Sequence, residues 1–274
     1  GFVVTQTEGV WGDALPVPGL KSLNVGDYAR ADSVSCAAPG ECAASGSYKD
    51  AAGGQGFTDG FQGFVVTQTE GVWGDALPVP GLKALNVGDD ASAVSVSCAA
   101  PGECAASGYY KPDADSYQGF VVTQTKGVWG DALPVPGLEG LRIDANDVSV
   151  SCAAPGECAA VGGYEDAAAG LQGFVVTQIG GVWGDALPVP GLEALNVGGD
   201  AFAGSVSCAA PGECAAVGGY EDAAGFQGFV FDLLSGYRPI VPTRVVDTRV
   251  NGGLRRPAGS TLAVDVGAQY ANQS

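Results

Sequence analysis

The hydrophobic pattern of this chain changes period every few residues and never settles into a helical one. VSVSC alternates apolar and polar positions and is β-branched, which predicts a strand. AAPGE follows, and its Pro-Gly pair suits the centre of a type II turn, where proline fixes φ and glycine accepts a positive one. CAAVGGY, or CAASGSY in its first occurrence, predicts the returning strand. After a variable acidic stretch comes GFVVTQ, rich in Val and Thr. A two-residue turn ending in glycine then leads into VWGDALPV, a second hairpin. Pro16 and Pro18 cannot donate ladder hydrogen bonds, so the fourth strand is expected to end there or lie at an edge.

This four-strand pattern repeats. Residues 1–20, GFVVTQTEGVWGDALPVPGL, recur unchanged at 63–82, with Lys126 as the one change at 119–138, and with Ile179 and Gly180 as the two changes at 173–192. VSCAAPGECAA occupies 34–44, 96–106, 150–160 and 206–216 without change. Trp11, Trp73, Trp129 and Trp183 are spaced 62, 56 and 54 residues apart, and length varies in Gly/Asp/Ala-rich connections such as 49–61. Four antiparallel strands per unit of this length is the pattern of a propeller blade. The expected fold is therefore all-β: a β-propeller-like array of four-stranded antiparallel repeats with a disulfide-stapled hairpin in each. A β-solenoid is the competing architecture, though its coils are shorter, and a count of four does not suit a three-fold trefoil. The chain enters on a third-and-fourth-strand hairpin and leaves the array after a third strand. In a ring closed at four blades, the first hairpin would pair with the last VSC hairpin.

The eight cysteines form four C-x5-C pairs, Cys36/Cys42, Cys98/Cys104, Cys152/Cys158 and Cys208/Cys214, one per unit. Each pair flanks a five-residue hairpin loop, so the half-cystines should face each other within disulfide reach. Such short rings contribute on the order of 2 kcal/mol each in the loop-entropy model. They imply an oxidising compartment, secreted or at the cell surface. A zinc site would need shorter spacings and pooling between units.

Charge divides the chain. The net charge is −18; the segment from 237 on carries five arginines against two aspartates, +3, which leaves −21 for residues 1–236. We read 1–236 as a four-repeat β-propeller-like domain and 237–274 as the start of a C-terminal β module or tail, cut short. So acidic a chain lacks the basic face that nucleic-acid backbones or anionic membranes require. No apolar run approaches the roughly 20 residues of a membrane span. With no methionine, Gly1 is not a translation start, so the chain is processed or a fragment.

The pattern VSC-x5-CAAVGGY…QGFVVTQ-x-x-GVWGDALPVPG…ALN resembles an uncharacterised repeat of secreted, actinobacterial-type proteins, across roughly 1–234. That resemblance implies an extracellular propeller-like array and supplies no catalytic residues. The segment 237–269 resembles the start of a β-sandwich-like module with a P-x-R-x-x-DTR run, here Pro242, Arg244, Asp247, Thr248 and Arg249.

Three groups of residues are candidates for chemistry. Trp11/Asp13, Trp73/Asp75, Trp129/Asp131 and Trp183/Asp185 stand two apart, which in a regular strand places ring and carboxylate on one face. Such a pair suits a sugar, the ring stacking on a pyranose and the carboxylate accepting from its hydroxyls. The structural alternative packs each Trp between blades while its Asp bonds a turn. The acidic loops, Asp113/Asp115, Glu165/Asp166 and Glu221/Asp222, offer calcium-type oxygens but differ between units and match no D-x-D-x-D-G pattern, which favours solvated charge. The DTR run, with Asp247 between Arg244 and Arg249, reads as structural, an ion-pair network or an Asp-capped turn. Without histidine the usual general base is missing. Two carboxylates suffice for glycoside hydrolysis, but four equivalent units single out no pair, and no unit stands apart. The expectation is a binding or recognition module rather than an enzyme, without cofactor or metal. Its partner would be a glycan or an extracellular protein. A passive structural or adhesive repeat is the alternative, and a carboxylate-only glycosidase the remote one. Copies so self-similar also invite exchange of blades between chains.

Overall fold

The computed structural model describes residues 1–50, 60–143, 148–166 and 170–234. Three complete units each fold into an antiparallel sheet whose strands pair in chain order. The first comprises Ala29–Ala38, Glu41–Lys49, Phe61–Thr69 and a split fourth strand, Val72–Trp73 with Leu77–Pro78. The second comprises Ser92–Ala100, Glu103–Tyr110, Gln118–Thr125, and Val128–Trp129 with Leu133–Pro134. The third comprises Ser149–Ala154, Glu157–Asp166, Gly170–Ile179, and Val182–Trp183 with Leu187–Pro188. A fourth unit contributes Ala201–Ala210, Glu213–Asp222 and Gly225–Leu234, and a lone hairpin, residues 2–16, precedes the series. This is the expected β-propeller-like array. Among the described residues no sheet closes the ring: strands of the first hairpin pair with one another, and Gly225–Leu234 pairs with Glu213–Asp222. The segment 237–274, with its DTR residues, lies outside the described residues.

All eight cysteines are in the expected disulfides, Cys36–Cys42, Cys98–Cys104, Cys152–Cys158 and Cys208–Cys214. The half-cystines face each other directly in register, with Cα atoms 3.9 Å apart in the first pair and 4.0 Å in the other three. The turn between third and fourth strands is a tight one with two positive φ values, 50° at Glu70 and 81° at Gly71. The glutamate of the Pro-Gly-Glu turn fastens it. Glu70 N–H donates to Glu41 Oε1 at 2.9 Å, Lys126 N–H to Glu103 Oε1 at 3.0 Å, and Gly180 N–H to Glu157 Oε1 at 2.9 Å.

Both faces of each complete sheet are covered, which explains why CAAVGG is small and apolar rather than alternating. Phe64, Phe120 and Phe174 are fully buried, as are most of the flanking valines. One cluster joins Ala43, Val65 and Leu82 of the first unit to Val96, Ala106, Phe120 and Trp129 of the second. A second does the same between the second and third units, from Val121 and Val135 to Phe174 and Trp183.

The alternating serines of VSVSC bind neighbouring units together. The first strand of each sheet has one hydrogen-bonding edge without a strand partner. Val96 N–H donates to Ser33 Oγ at 3.2 Å and Cys98 N–H to Ser35 Oγ at 3.0 Å. Val150 and Cys152 likewise donate to Ser95 and Ser97, and Cys208 to Ser151. Backbone donors that would otherwise go unpaired are thus satisfied by the preceding unit.

Short helical turns, Leu20–Leu23, Leu82–Leu85 and Leu192–Leu195, follow the Pro-Gly of each fourth strand and bury their first leucine. They were not expected from the strand-like pattern. The third connection forms none; Gly140, with φ of 81°, replaces the Ser or Ala found at its counterparts. Asn86, at the end of one such turn, donates to Phe61 O and accepts from Asp90 and Lys111 N–H, tying three segments at the loop end.

Candidate functional site

The fourth strand is where the predicted Trp/Asp pairs fall, and it is not regular. Gln68 pairs with Trp73 and Val65 with Leu77, so three steps along the third strand meet four along the fourth. Gly74, Asp75 and Ala76 form a one-residue bulge, and the same occurs at 130–132 and 184–186. The bulge cancels the alternation, so Trp and Asp of one strand do not share a face. Trp129 and Trp183 turn inward, 7% and 8% exposed, while Asp131 and Asp185 remain exposed.

The bulge also latches units together. Ala76 N–H donates to Pro18 O, Ala132 to Pro80 O and Ala186 to Pro136 O, each at 2.8 Å. Across the same boundary, Trp183 Nε1–H donates to Thr123 Oγ1 at 3.1 Å and Gln178 Nε2–H to the same oxygen at 2.9 Å. Trp129 and Gln124 make the equivalent bonds to Thr67, at 3.3 and 3.0 Å. Trp73 is half-buried without an indole partner, and Trp11, in the first hairpin, is 63% exposed.

This geometry brings Trp183 to Asp131 and Trp73 to Asp13, each the Asp of the preceding hairpin. An open groove of about 560 Å³ between the second and third units is lined by Thr123, Thr125, Asp131 and Leu133 on one side and Val182 and Trp183 on the other. Its equivalent between the first hairpin and the first unit, about 510 Å³, holds Thr5, Thr7, Asp13 and Leu15 against Val72 and Trp73. Hydroxyls, a carboxylate and apolar surface converge there, a mixture that suits a partly apolar, hydroxylated ligand. Exposed valines recur along the rims: Val10, Val72, Val128 and Val182 are each 71–72% exposed.

The acidic loops are engaged in local structure, by backbone hydrogen bonds or an ion pair. Asp113 Oδ1 accepts from Asp115 N–H, Ser116 N–H and Ser116 Oγ, and the Asp115 bond leads in holding this carboxyl below its ordinary value. Glu165 pairs with Arg142 at 3.4 Å, and Asp222 Oδ1 accepts from Ala224 N–H at 2.7 Å.

A second cluster was missed from sequence. At the loop end of the first two units, Arg30 Nε meets Asp32 Oδ1 at 2.9 Å, and Ser92 Oγ–H donates to Asp32 Oδ2 at 3.2 Å across the unit boundary. The Tyr117 hydroxyl donates to Asp90 Oδ2 at 2.6 Å. Tyr109 stands edge-to-face on Tyr117 with centroids 5.4 Å apart, and Lys111 Nζ sits 4.7 Å from the Tyr117 ring centre. Burial pushes the Asp32 carboxyl above its ordinary value, opposed by Arg30. Burial, followed by the charge of Asp90, pushes Tyr109 up to about 12. The folded state therefore holds the Tyr109 proton more tightly than the unfolded chain. Stability from this source is intact below the ordinary tyrosine value of 10.0 and is lost as pH rises from there to about 12. Denaturant titrations across that window should show stability falling with pH, less steeply in Tyr109→Phe. An unchanged slope in that variant would contradict the assignment.

No family model matches the chain, and no curated protein matches it. The resemblance to a secreted repeat family therefore reduces to an all-β repeat fold with four stapled hairpins. Among solved structures the chain is similar to a protein of unknown function from Dyadobacter fermentans DSM 18053, at 10% identity over 85% of this chain and 68% of that one, TM-score 0.52. It is also similar to the Hadza microbial sialidase Hz136, at 9% identity over 77% and 45%, TM-score 0.47. A third is the subtype N11 neuraminidase-like protein of A/flat-faced bat/Peru/033/2010 (H18N11), at 15% identity over 85% and 59%, TM-score 0.41. The chain thus spans about half the length of these last two. The expectation that the chain is not an enzyme is corrected: structures similar to it include a sialidase and a glycosyl hydrolase. Its premise fails too, because the Arg30–Tyr117 cluster shows that individual units do stand apart. Likeness at these identities establishes the propeller-like fold alone.

Proposed function

We propose that this chain recognises carbohydrate outside the cell, through the repeated grooves between neighbouring units. One observation carries the reading. Trp183 with Asp131, and Trp73 with Asp13, meet across unit boundaries in two grooves of matching composition. Trp129 with Asp75 and the exposed Trp11 and Asp185 extend the series by repetition. In each groove the threonine hydroxyls and the carboxylate would bond sugar hydroxyls, and the Val and Leu rims would lie against the apolar face of the ring. The four disulfides support an extracellular address. Identical subsites in series favour a linear glycan over a single sugar, since each added contact is then intramolecular.

Titration calorimetry with linear oligosaccharides of increasing length tests this. Affinity should rise with length, fall severalfold in Asp131→Ala, and vanish when Asp13, Asp75, Asp131 and Asp185 are all replaced by alanine. No binding across a broad glycan array, or unchanged binding by the fourfold variant, would reject the reading and favour a passive structural repeat.

A further inference from the structure

Against near-identical repeats, the positions where one unit alone carries distinctive chemistry are conspicuous. Six residues before the first half-cystine stand Arg30, Ser92, Asn146 and Phe202; four before it stand Asp32, Val94, Val148 and Gly204. Preceding the repeated tyrosine of the second strand are Ser47, Tyr109, Gly163 and Gly219, and preceding the Gln-Gly of the third strand are Phe61, Tyr117, Leu171 and Phe226. Arg30 and Asp32 belong only to the first unit, Tyr109 and Tyr117 only to the second. These four scattered departures meet at one place, around the Tyr109 ring.

The surroundings hold that place in shape. Asp32 is the extra residue of a bulge between Ala31 and Ser33, the device by which a strand re-aims a side chain. Tyr117 is delivered by the loop that Asp113 ties to its own backbone. A Cβ on Gly88 would run into the Asp113 carbonyl, so that loop packs tightly on the neighbouring connection. Arg30 keeps 50% of its side-chain exposure, Asp32 keeps 17%, and both tyrosines are half-buried. The two tyrosine rings, the Asp32 carboxylate and the Arg30 guanidinium are therefore offered to solvent at this loop end, while the buried Asp90 holds the Tyr117 hydroxyl.

We propose that this cluster is a second binding site, separate from the grooves, which takes the hydroxyl-rich ring of a single sugar residue. The Asp32 carboxylate accepts from ring hydroxyls, Arg30 donates to them, and the Tyr109 and Tyr117 rings supply the apolar contact, with Ser92 and Asp90 holding Asp32 and Tyr117 from beneath. The ligand class rests on the carbohydrate reading above; the location does not.

Ligand-observed NMR on the full chain with a panel of free monosaccharides tests the site. At least one should bind. Asp32→Asn, which keeps the shape, and Tyr109→Ala should each weaken it on the order of tenfold, while Glu213→Gln, on an exposed turn of the fourth unit outside both sites, leaves it unchanged. Circular dichroism melts check that the variants fold. No monosaccharide binding, wild-type affinity in folded Asp32→Asn, or an equal loss in Glu213→Gln would overturn the proposal. Failure of the groove reading would show instead in the oligosaccharide titrations, with monosaccharide binding retained.

Discussion

Gly108→Ala should destabilise the array more than any other single methyl addition to the second unit, by more than about 3 kcal/mol. Gly108 pairs with Ala93 where the first strand carries a one-residue bulge before Ser95. The bulge swings the Ser92 carbonyl over the glycine, so a Cβ would run into that backbone oxygen and lie 2.9 Å from the buried Phe120 ring. Neither neighbour can give way, since one is backbone in a paired strand and the other is fully buried. Gly46 and Gly218 meet the Arg30 and Phe202 carbonyls in the same way. Gly130→Ala is the matched control, because its Cβ would find its nearest neighbour at an ordinary 3.5 Å. Denaturant midpoints should fall sharply for the first variant and by under about 1 kcal/mol for the control. Similar losses in both would refute the close-approach account.

Thr123→Val should cost about 2–4 kcal/mol although it preserves shape. Thr123 Oγ1 accepts from both Trp183 Nε1 and Gln178 Nε2 across the unit boundary. A methyl in its place strands two buried donors, and Gln178 keeps only its bond to Gly181 O at 3.2 Å. The asymmetry matters: an unmade buried hydrogen bond costs its desolvation, not merely its modest net gain. Thr125→Val, on an exposed position two residues along, should change stability by no more than about 0.5 kcal/mol. Thr5→Val should also be nearly silent, because Trp73 makes no indole hydrogen bond. Equal effects at Thr123 and Thr125 would show that the clamp contributes nothing.

What the sequence made legible was local. Strand alternation, Pro-Gly and Glu-Gly turns and the C-x5-C spacing are determined within a few residues, and all took their expected form. The Trp/Asp pairing was lost because one extra residue at 74–76 reverses a face, and VWGDALPV carries no alternation break that would announce it. The Trp–Asp meeting across units depends on how sheets stack, which no local pattern encodes. The cluster at Arg30, Asp32, Tyr109 and Tyr117 was readable in principle, by aligning the units and asking where they differ. Ring closure stayed open from sequence because a strand count says which hairpins are left over, not whether their edges meet.

Everything proposed for the grooves depends on each tryptophan being seated against the preceding unit. Exchange of the indole N–H protons, followed residue by residue by NMR, measures that seating in four almost identical sequence contexts. Trp129 and Trp183 should exchange slowly, Trp73 faster than either, and Trp11 as an exposed indole does. Four tryptophans exchanging alike, or Trp129 and Trp183 exchanging freely, would mean that the units do not stack as described.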